Sequence, residues 1–195
     1  MNNTTLTLKM KRAISELRSG GKIVISNSFG TSVLLMSAEL IEKESVNKLS
    51  DLALSRPNII LSNNRCNAIG IEVSNQPCSI LIENNWTMND ILSLCMPLTG
   101  HRIPNINGVI SENNTSIISY CLLILRQSRL LPAGLMSIIS NVAPEKINQW
   151  TFKNNFIHVD VNDIKSYEQR SAESLLMAVR AKVPIAETEN CEVII

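Results

Sequence analysis

Residues 17–26, which read LRSGGKIVIS, decide the fold class of this 195-residue chain. The apolar side chains before them recur at the spacing of one helix face, at Leu6, Met10, Ile14 and Leu17. The pair Gly20-Gly21 ends that helix, because glycine adopts the left-handed C-terminal cap at little cost. The next residues, Lys22 to Ser26, have a β-branched apolar centre and predict a short strand.

Outward from this stretch, the sequence continues to alternate between strands and helices. Further strands are predicted at residues 33–38, 59–61, 78–82, 135–139 and 157–161. Helices are predicted at 46–53, 87–95, 117–125 and 164–167, with Ser45 as a cap, a short helix after Pro144, and a loop at 96–107. The alternation predicts an α/β (α+β) fold, in which a mixed sheet is flanked by helices.

The segment Ile117 to Leu125 is apolar almost without interruption. It is too short to span a membrane, so it is typical of a buried helix. Because the segment has no polar face, we expect it to be covered on nearly all sides and to form the core of the fold.

Composition excludes several classes of function. The net charge is +1 and aromatic residues make up 4% of the chain, so neither phosphate contacts nor base stacking are favoured and no nucleic-acid partner is expected. No apolar run reaches 18 residues and the start resembles no secretory signal, so we expect a cytoplasmic protein with no membrane partner. The five cysteines are scattered, which indicates reduced thiols and no zinc site: Cys66, Cys78, Cys95, Cys121 and Cys191.

Four basic side chains are candidates for anion binding. His101 and Arg102 follow a glycine and could hold an anion, although such residues are also ordinary in a surface turn. Arg126 and Arg129 could clamp a phosphate, although basic residues are also common at helix C-termini, where they complement the helix dipole.

Candidates for acid–base or nucleophilic catalysis are few. Cys95 and His101 are close in sequence, but a catalytic pair requires contact in space and a cysteine is more often a small buried apolar residue. His158 lies within a predicted strand and is expected to be half-buried and hydrogen-bonded. Residues 17–38 contain no Asp or Glu, and residues 115–144 contain no Asp, Glu or His. Neither segment can supply carboxylate ligands for magnesium or a base for proton abstraction.

Five stretches of the chain, in this order and spacing, resemble the family of 3,4-dihydroxy-2-butanone 4-phosphate synthase, the lyase that makes a riboflavin precursor from ribulose 5-phosphate. They are residues 17–25 with 36–39, residues 61–71 with Arg65, Ala68 and Gly70, residues 126–134, residues 155–167, and residues 178–184. The last stretch resembles the junction at which many bacterial versions continue into GTP cyclohydrolase II. The resemblance implies a synthase-like domain at 1–170 and a junction at 171–195, and the ending Val193-Ile194-Ile195 suggests that the chain continues into a cyclohydrolase domain.

The chain departs from this family where the family carries its chemistry. The family's acidic loop, which provides magnesium ligands and catalytic acids, corresponds here to Ser26 to Val33, where no acid remains. Its His-Thr-Glu corresponds to Ile117-Ile118-Ser119, and the glutamate that follows its Pro-Ala-Gly falls near Ile138. Glu39 matches a family position at the end of the second strand. No catalytic residue and no metal ligand can therefore be transferred to this sequence.

The resemblance and its departures leave three functional hypotheses. The first is a catalytically degenerate synthase-like domain without a cofactor, which forms a homodimer and supports a GTP cyclohydrolase II domain. The second is an active Mg²⁺-dependent lyase whose site is rebuilt from other acids, namely Glu42, Glu44, Glu112 or Asp160. The third is a small-molecule or protein-binding module with a pocket lined by His101, Arg102 and Arg126.

Overall fold

The computed structural model describes residues 3–73, 75–97, 102–111, 116–173, 180–182 and 192–194. Helices and strands alternate along most of this part of the chain. The elements are α1 (Asn3–Arg18), β1 (Ile23–Ser26), β2 (Ser32–Ser37), α2 (Ser45–Ala53), β3 (Asn58–Leu61), α3 (Asn63–Ala68), β4 (Cys78–Leu81), α4 (Met88–Cys95), β5 (Val109–Ser111), α5 (Ile117–Gln127), β6 (Ala133–Ile138), α6 (Ile147–Lys153), β7 (Ile157–Asp160), α7 (Val161–Glu173), β8 (Arg180–Lys182) and β9 (Glu192–Ile194).

Seven strands form one mixed sheet in the order β5-β4-β3-β6-β2-β1-β7, and β8 pairs separately with β9. Only β1 and β7 run parallel to each other within the large sheet; its other neighbours are antiparallel. We call the end where β1 stops and β2 starts the upper end, at Ser26 and Ser32. The opposite end, where β2 stops and β6 starts, is the lower end, at Ser37 and Ala133. This sheet and its flanking helices confirm the predicted fold class.

Helices cover the sheet on both faces. Successive side chains of a strand point to opposite sides, so each strand packs against the helices of both faces. Ile23 and Ile25 of β1 pack with α1, α5 and α7, on what we call the α5 face. Val24 packs on the other face, the α4 face, in a cluster with residues of α2, α3, α4 and α6. Both sides of the central strands are therefore buried, which explains why these strands read as continuous apolar runs.

The apolar segment that begins at Ile117 forms α5, and its predicted burial is confirmed on the side that faces the sheet. Cys121, Ile124 and Leu125 have no exposed surface. The expectation that the helix is covered on nearly all sides is too strong, because Leu123 is only half-buried and faces an open cleft together with the exposed Arg126.

Two glycines are required by the backbone. Gly20 has φ +82° and ends α1 as predicted, with the N–H of Gly21 donating to the carbonyl of Glu16. Gly134, in the Pro-Ala-Gly stretch, lies where β6 approaches β2 closely, and a Cβ there would lie 2.7 Å from the carbonyl oxygen of Met36. The close pairing of β2 with β6 therefore excludes a side chain at this position.

Local capping explains several element boundaries. Thr87 and Asp90 form a reciprocal capping box at the start of α4, which explains why this helix begins where the sequence predicted it to within one residue. Ser45 is not the cap of α2 but its first residue, and its hydroxyl accepts the N–H of Glu42. The last helix is longer than predicted, since α7 already begins at Val161.

Three other sequence predictions concern the loop after α4, membrane-spanning helices and the domain boundary. The three-residue strand β5 follows the predicted loop and was not predicted at all. The described part of the chain contains no helix that is long and apolar enough to cross a bilayer. The domain boundary at residue 170 remains a prediction.

Candidate functional site

The resemblance places the synthase chemistry at the β1–β2 connection, which here is a tight turn closed by its own hydrogen bonds. The side-chain oxygen of Asn27 accepts the N–H groups of Phe29, at 3.1 Å, and Thr31, at 2.9 Å. The N–H of Asn27 donates to the carbonyl of Thr31, and Gly30 supplies the positive φ that the turn needs. The Asn27 carbonyl also accepts the N–H of Gly30, at 3.3 Å, so both oxygens of Asn27 are used to hold the turn together.

Beneath this turn, four polar side chains form a continuous hydrogen-bonded chain. The hydroxyls of Ser32 and Ser26 are 2.7 Å apart, and the Ser26 hydroxyl lies 2.8 Å from Nε2 of His158. Nδ1 of His158 lies 2.7 Å from the side-chain oxygen of Asn148 on α6. Because an amide oxygen only accepts, Nδ1 carries the proton, Nε2 accepts from Ser26, and Ser26 accepts from Ser32.

Burial and a neighbouring positive charge favour the neutral form of His158. Burial lowers the pKa of His158, and the nearby Lys9 lowers it further, while Asp160 and Asp163 act in the opposite direction. The histidine is half-buried and hydrogen-bonded, as predicted for it from the sequence. Ser26 and Ser32 are both buried, so the network ties β1, β2, β7 and α6 together at the upper end.

The donors at the upper end do not fit a magnesium ion. Asp160 lies beside Ser26 in the sheet, but its carboxylate accepts the N–H of Asn162 at the start of α7. Asp163 forms an ion pair with Lys9 at 2.7 Å. Among the described residues no three Asp, Glu, His or Cys side chains converge as a metal site requires.

The acids considered for a rebuilt site lie far apart. Glu42 and Glu44 follow the lower end of β2, whereas Asp160 lies at the upper end of β7. The six residues of β2 separate these ends by about 20 Å. Glu112 lies outside the described residues. Glu39 is also at the lower end, where its carboxylate accepts the N–H of Leu131 and links the end of β2 to the approach to β6.

The basic residues predicted to bind an anion are dispersed. His101 lies outside the described residues, and Arg102 is exposed in the loop after α4, where the adjacent Ile103 packs against the α4-face core. Arg126 is on α5, which covers the opposite face of the sheet, so the structure does not bring Arg102 and Arg126 together. Arg129 follows α5 with φ +57° and is exposed.

The candidate pair Cys95–His101 is described only for its cysteine. Cys95 is buried, and desolvation raises the pKa of its thiol to about 12. At neutral pH this thiol is protonated, which is typical of a structural cysteine and not of a nucleophile.

Arg126 opens onto a cleft of about 550 Å³ between α5, α7 and the start of α3 at the lower end of the sheet. Its guanidinium lies 3.6 Å from the carboxylate of Glu168 on α7. The wall is about half polar and half apolar, and its polar residues include Ser62, Asn63, Asn75, Tyr120, Lys165 and Glu168. Amides, hydroxyls and two cations could hold a small polar anion. Sequence reasoning found Arg126 but missed the other lining residues, because they come from separate segments with no shared motif.

Comparison with known proteins identifies the fold. No protein-family model matches the chain, and no curated protein sequence matches it. Among solved structures, RibBX, a two domain 3,4-dihydroxy-2-butanone 4-phosphate synthase from A. baumannii, superposes with a TM-score of 0.66 at 12% identity and covers 95% of this chain. The similarity is one of fold. The chain spans 65% of the length of that two-domain structure.

Two further solved structures agree with this result. The 3,4-dihydroxy-2-butanone 4-phosphate synthase of Candida albicans has a TM-score of 0.64 at 14% identity, with 82% of this chain and 96% of that chain covered. A synthase in complex with two magnesium ions has a TM-score of 0.65 at 9% identity and covers 85% of this chain and 99% of that one. The chain therefore has the fold of these synthases.

Proposed function

We propose that this chain is a catalytically degenerate 3,4-dihydroxy-2-butanone 4-phosphate synthase-like domain that forms a homodimer and supports a GTP cyclohydrolase II domain. The fold it shares with the synthases supports the first part. The second part rests on the resemblance of residues 178–184 to the junction with the cyclohydrolase. The protein would then act in the cytoplasm, in riboflavin biosynthesis.

The observation that carries the loss of activity is the β1–β2 turn. A lyase acting on a sugar phosphate benefits from a divalent metal that polarises the carbonyl, and such a metal needs carboxylate oxygens. Between Ser26 and Ser32 there is no carboxylate, and the Asn27 side chain already accepts two backbone N–H groups. A rebuilt lyase site draws no support from the geometry, since Asp160 lies at the end of the sheet opposite to Glu42 and Glu44.

The activity test uses ribulose 5-phosphate, Mg²⁺ and the purified chain, with an active synthase assayed in parallel. We expect no formate release above background and no heat of magnesium binding by calorimetry. Formate release at an enzyme-like turnover that Asp160→Asn abolishes would instead establish the rebuilt lyase.

The proposed dimer is supported by apolar side chains exposed at the upper end. Phe29 at the tip of the β1–β2 turn is 91% exposed, and Ile138 at the end of β6 is exposed as well. Both side chains lie at the same end of the sheet, and we infer that they belong to the surface that the second chain covers. Light scattering at micromolar concentration should give about twice the monomer mass of 21.6 kDa.

A pair of matched variants locates the contact. Phe29→Asp should produce monomers, whereas Phe152→Asp, at the similarly exposed Phe152 of α6, should leave the dimer unchanged. A wild-type chain that stays monomeric on concentration would contradict the dimer without restoring a lyase.

For the cyclohydrolase part, the chain should stabilise a GTP cyclohydrolase II domain to which it is joined. The measurement is the melting temperature of that domain, which should be higher in the joined protein than in isolation.

A further inference from the structure

Two of the buried cysteines, Cys66 and Cys78, are in direct contact. Their sulfur atoms are 2.6 Å apart, within about 0.6 Å of the length of a disulfide bond, which is about 2.05 Å. The remaining described cysteines, Cys95 and Cys121, are also free thiols and are buried individually in the core. Among the four described cysteines, Cys66 and Cys78 are therefore the pair in sulfur–sulfur contact.

Rigid elements hold this contact. Cys78 is the first residue of β4 and pairs with Leu61, the last residue of β3. Cys66 lies on α3, five residues further along the chain from Leu61. The adjacent Arg65 fixes α3 in place by donating to three backbone carbonyls at the end of α4, those of Ser93, Leu94 and Met96. The two sulfurs thus face each other across a short, well-anchored span.

We propose that Cys66 and Cys78 are an oxidation site, at which a hydroperoxide converts the resting dithiol into a disulfide that fixes the α3 side of the cleft. This inference is independent of the function proposed above, since it concerns the lower end of the sheet and needs neither a dimer nor a cyclohydrolase.

The two thiols have different roles in the reaction. Either thiol can donate the hydrogen bond between the two sulfurs. Once Cys66 is ionised, only the S–H of Cys78 can donate, and this bond lowers the pKa of Cys66 and raises that of Cys78. The Cys66 thiolate attacks the peroxide O–O bond and forms a sulfenic acid, and one oxygen leaves as hydroxide, or as water after it gains a proton. Cys78 then attacks the sulfenic sulfur, the S–S bond forms and the S–O bond breaks. Two thiols and one hydrogen peroxide give one disulfide and two water molecules.

The position of the pair explains why oxidation affects the cleft. The disulfide closes a ring over residues 66–78, and this ring contains Asn75 and Pro77 from the cleft wall. Asn75 is joined to α3 by a hydrogen bond of 3.3 Å that the side chain of Asn63 donates. Both cysteines are buried, so the peroxide reaches them by local opening of this segment, and small size favours such an oxidant.

The test uses the full wild-type chain, so that no variant needs to fold. The reduced chain is treated with hydrogen peroxide and alkylated with iodoacetamide in urea, and its intact mass is measured by mass spectrometry. We expect three alkylated thiols out of the five in place of all five. Glu-C digestion separates the two cysteines by cleaving after Glu72 and Glu83, whereas trypsin leaves Cys66, Cys78 and Cys95 in one peptide. A dithiothreitol-sensitive link between the peptide ending at Glu72 and the peptide 73–83 is the expected product.

Further measurements separate a folded site from a chance link. The link should form at least tenfold more slowly in urea, because unfolding removes the contact. Oxidation should slow amide exchange of residues 69–73, 75 and 76 and raise the melting temperature by several degrees. Cys95→Ser should leave the link unchanged, whereas Cys66→Ser should remove it. Five alkylated thiols after peroxide treatment, a link to Cys95, or sulfinic acid at Cys66 without a disulfide would each overturn the proposal.

Discussion

Helix α5 and the β1–β2 turn belong to the same fold, but they are held in place by different interactions. The sheet-facing side of α5 is apolar and fully buried at Cys121, Ile124 and Leu125. The turn joins two paired strands, and the side-chain oxygen of Asn27 accepts two hydrogen bonds from backbone N–H groups within the turn. Packing over a large surface thus accounts for the shared fold, whereas the chemistry of a site depends on a few side chains, and the turn is where the proposed loss of activity is tested.

The largest expected effect is in the core of α5. Leu125→Ala should lower the free energy of unfolding by about 2–5 kcal/mol, because it opens a cavity where the side chain has no exposed surface. Leu123→Ala on the cleft side should cost clearly less, since Leu123 is only half-buried. Urea denaturation followed by circular dichroism measures both. Equal losses would show that the two sides of α5 do not differ.

A smaller effect is expected from the network beneath the turn. Ser26→Ala leaves Nε2 of His158 and the hydroxyl of Ser32 without their partner and should cost about 1–3 kcal/mol. Ser19→Ala is the matched control, because the hydroxyl of Ser19 is exposed and bonds only to a nearby carbonyl. If Ser26→Ala unfolds at the same urea concentration as Ser19→Ala, the network does not hold the upper end together.

The same network predicts how stability depends on pH. The pKa of His158 is lower in the folded chain than its ordinary value of about 6.5, so the unfolded chain binds the proton more readily. The contribution of neutral His158 is fully present above about pH 6.5 and is lost as pH falls through the lowered pKa. Urea midpoints between pH 7.5 and 5 should therefore decrease, and His158→Gln should reduce that decrease. A slope that His158→Gln leaves unchanged would assign the pH dependence to other groups.

The smallest effect on stability is expected on the solvent-exposed side of α5. Arg126→Ala should cost at most about 1 kcal/mol, because its guanidinium is exposed and its ion pair with Glu168 is long. Added salt should reduce even this difference between variant and wild type. A loss comparable to that of Leu125→Ala would reveal a tightly held anion in the cleft and would count against a domain without ligand.

The sequence predicted the fold well where local rules agree with tertiary packing. Three features could be predicted from neighbouring residues alone. They are the end of α1 at a glycine, the capped start of α4 and the apolar sequence of α5. The three-residue strand β5 carries no such local signal, because its pairing with β4 comes from across the sheet. The open side of α5 was missed because Leu122 and Leu123, which line the cleft, are as apolar as the residues that face the sheet.

The candidate site was less accessible to sequence reasoning. The absence of Asp and Glu from residues 17–38 was evident from the sequence alone, and His158 was correctly placed in a strand. The contact of His158 with Ser26 and Asn148 was not foreseeable, because it joins residues 132 and 10 positions apart. The contact of Cys66 with Cys78 depends equally on the crossing of α3 over the start of β4, which no spacing rule encodes.

The central position of β6 has a consequence for how the chain folds during synthesis. The strands β1 and β2 can pair as soon as they are made, and so can β3 and β4, but only β6 joins the two pairs. Until residue 138 has left the ribosome, β2 and β3 each present an open apolar edge. Such edges favour association between nascent chains, and the separation of about 100 residues between Val33 and Ile138 makes closure slow. Expression at low temperature or with a chaperone that covers strand edges should therefore raise the yield of folded protein more than changes at either terminus.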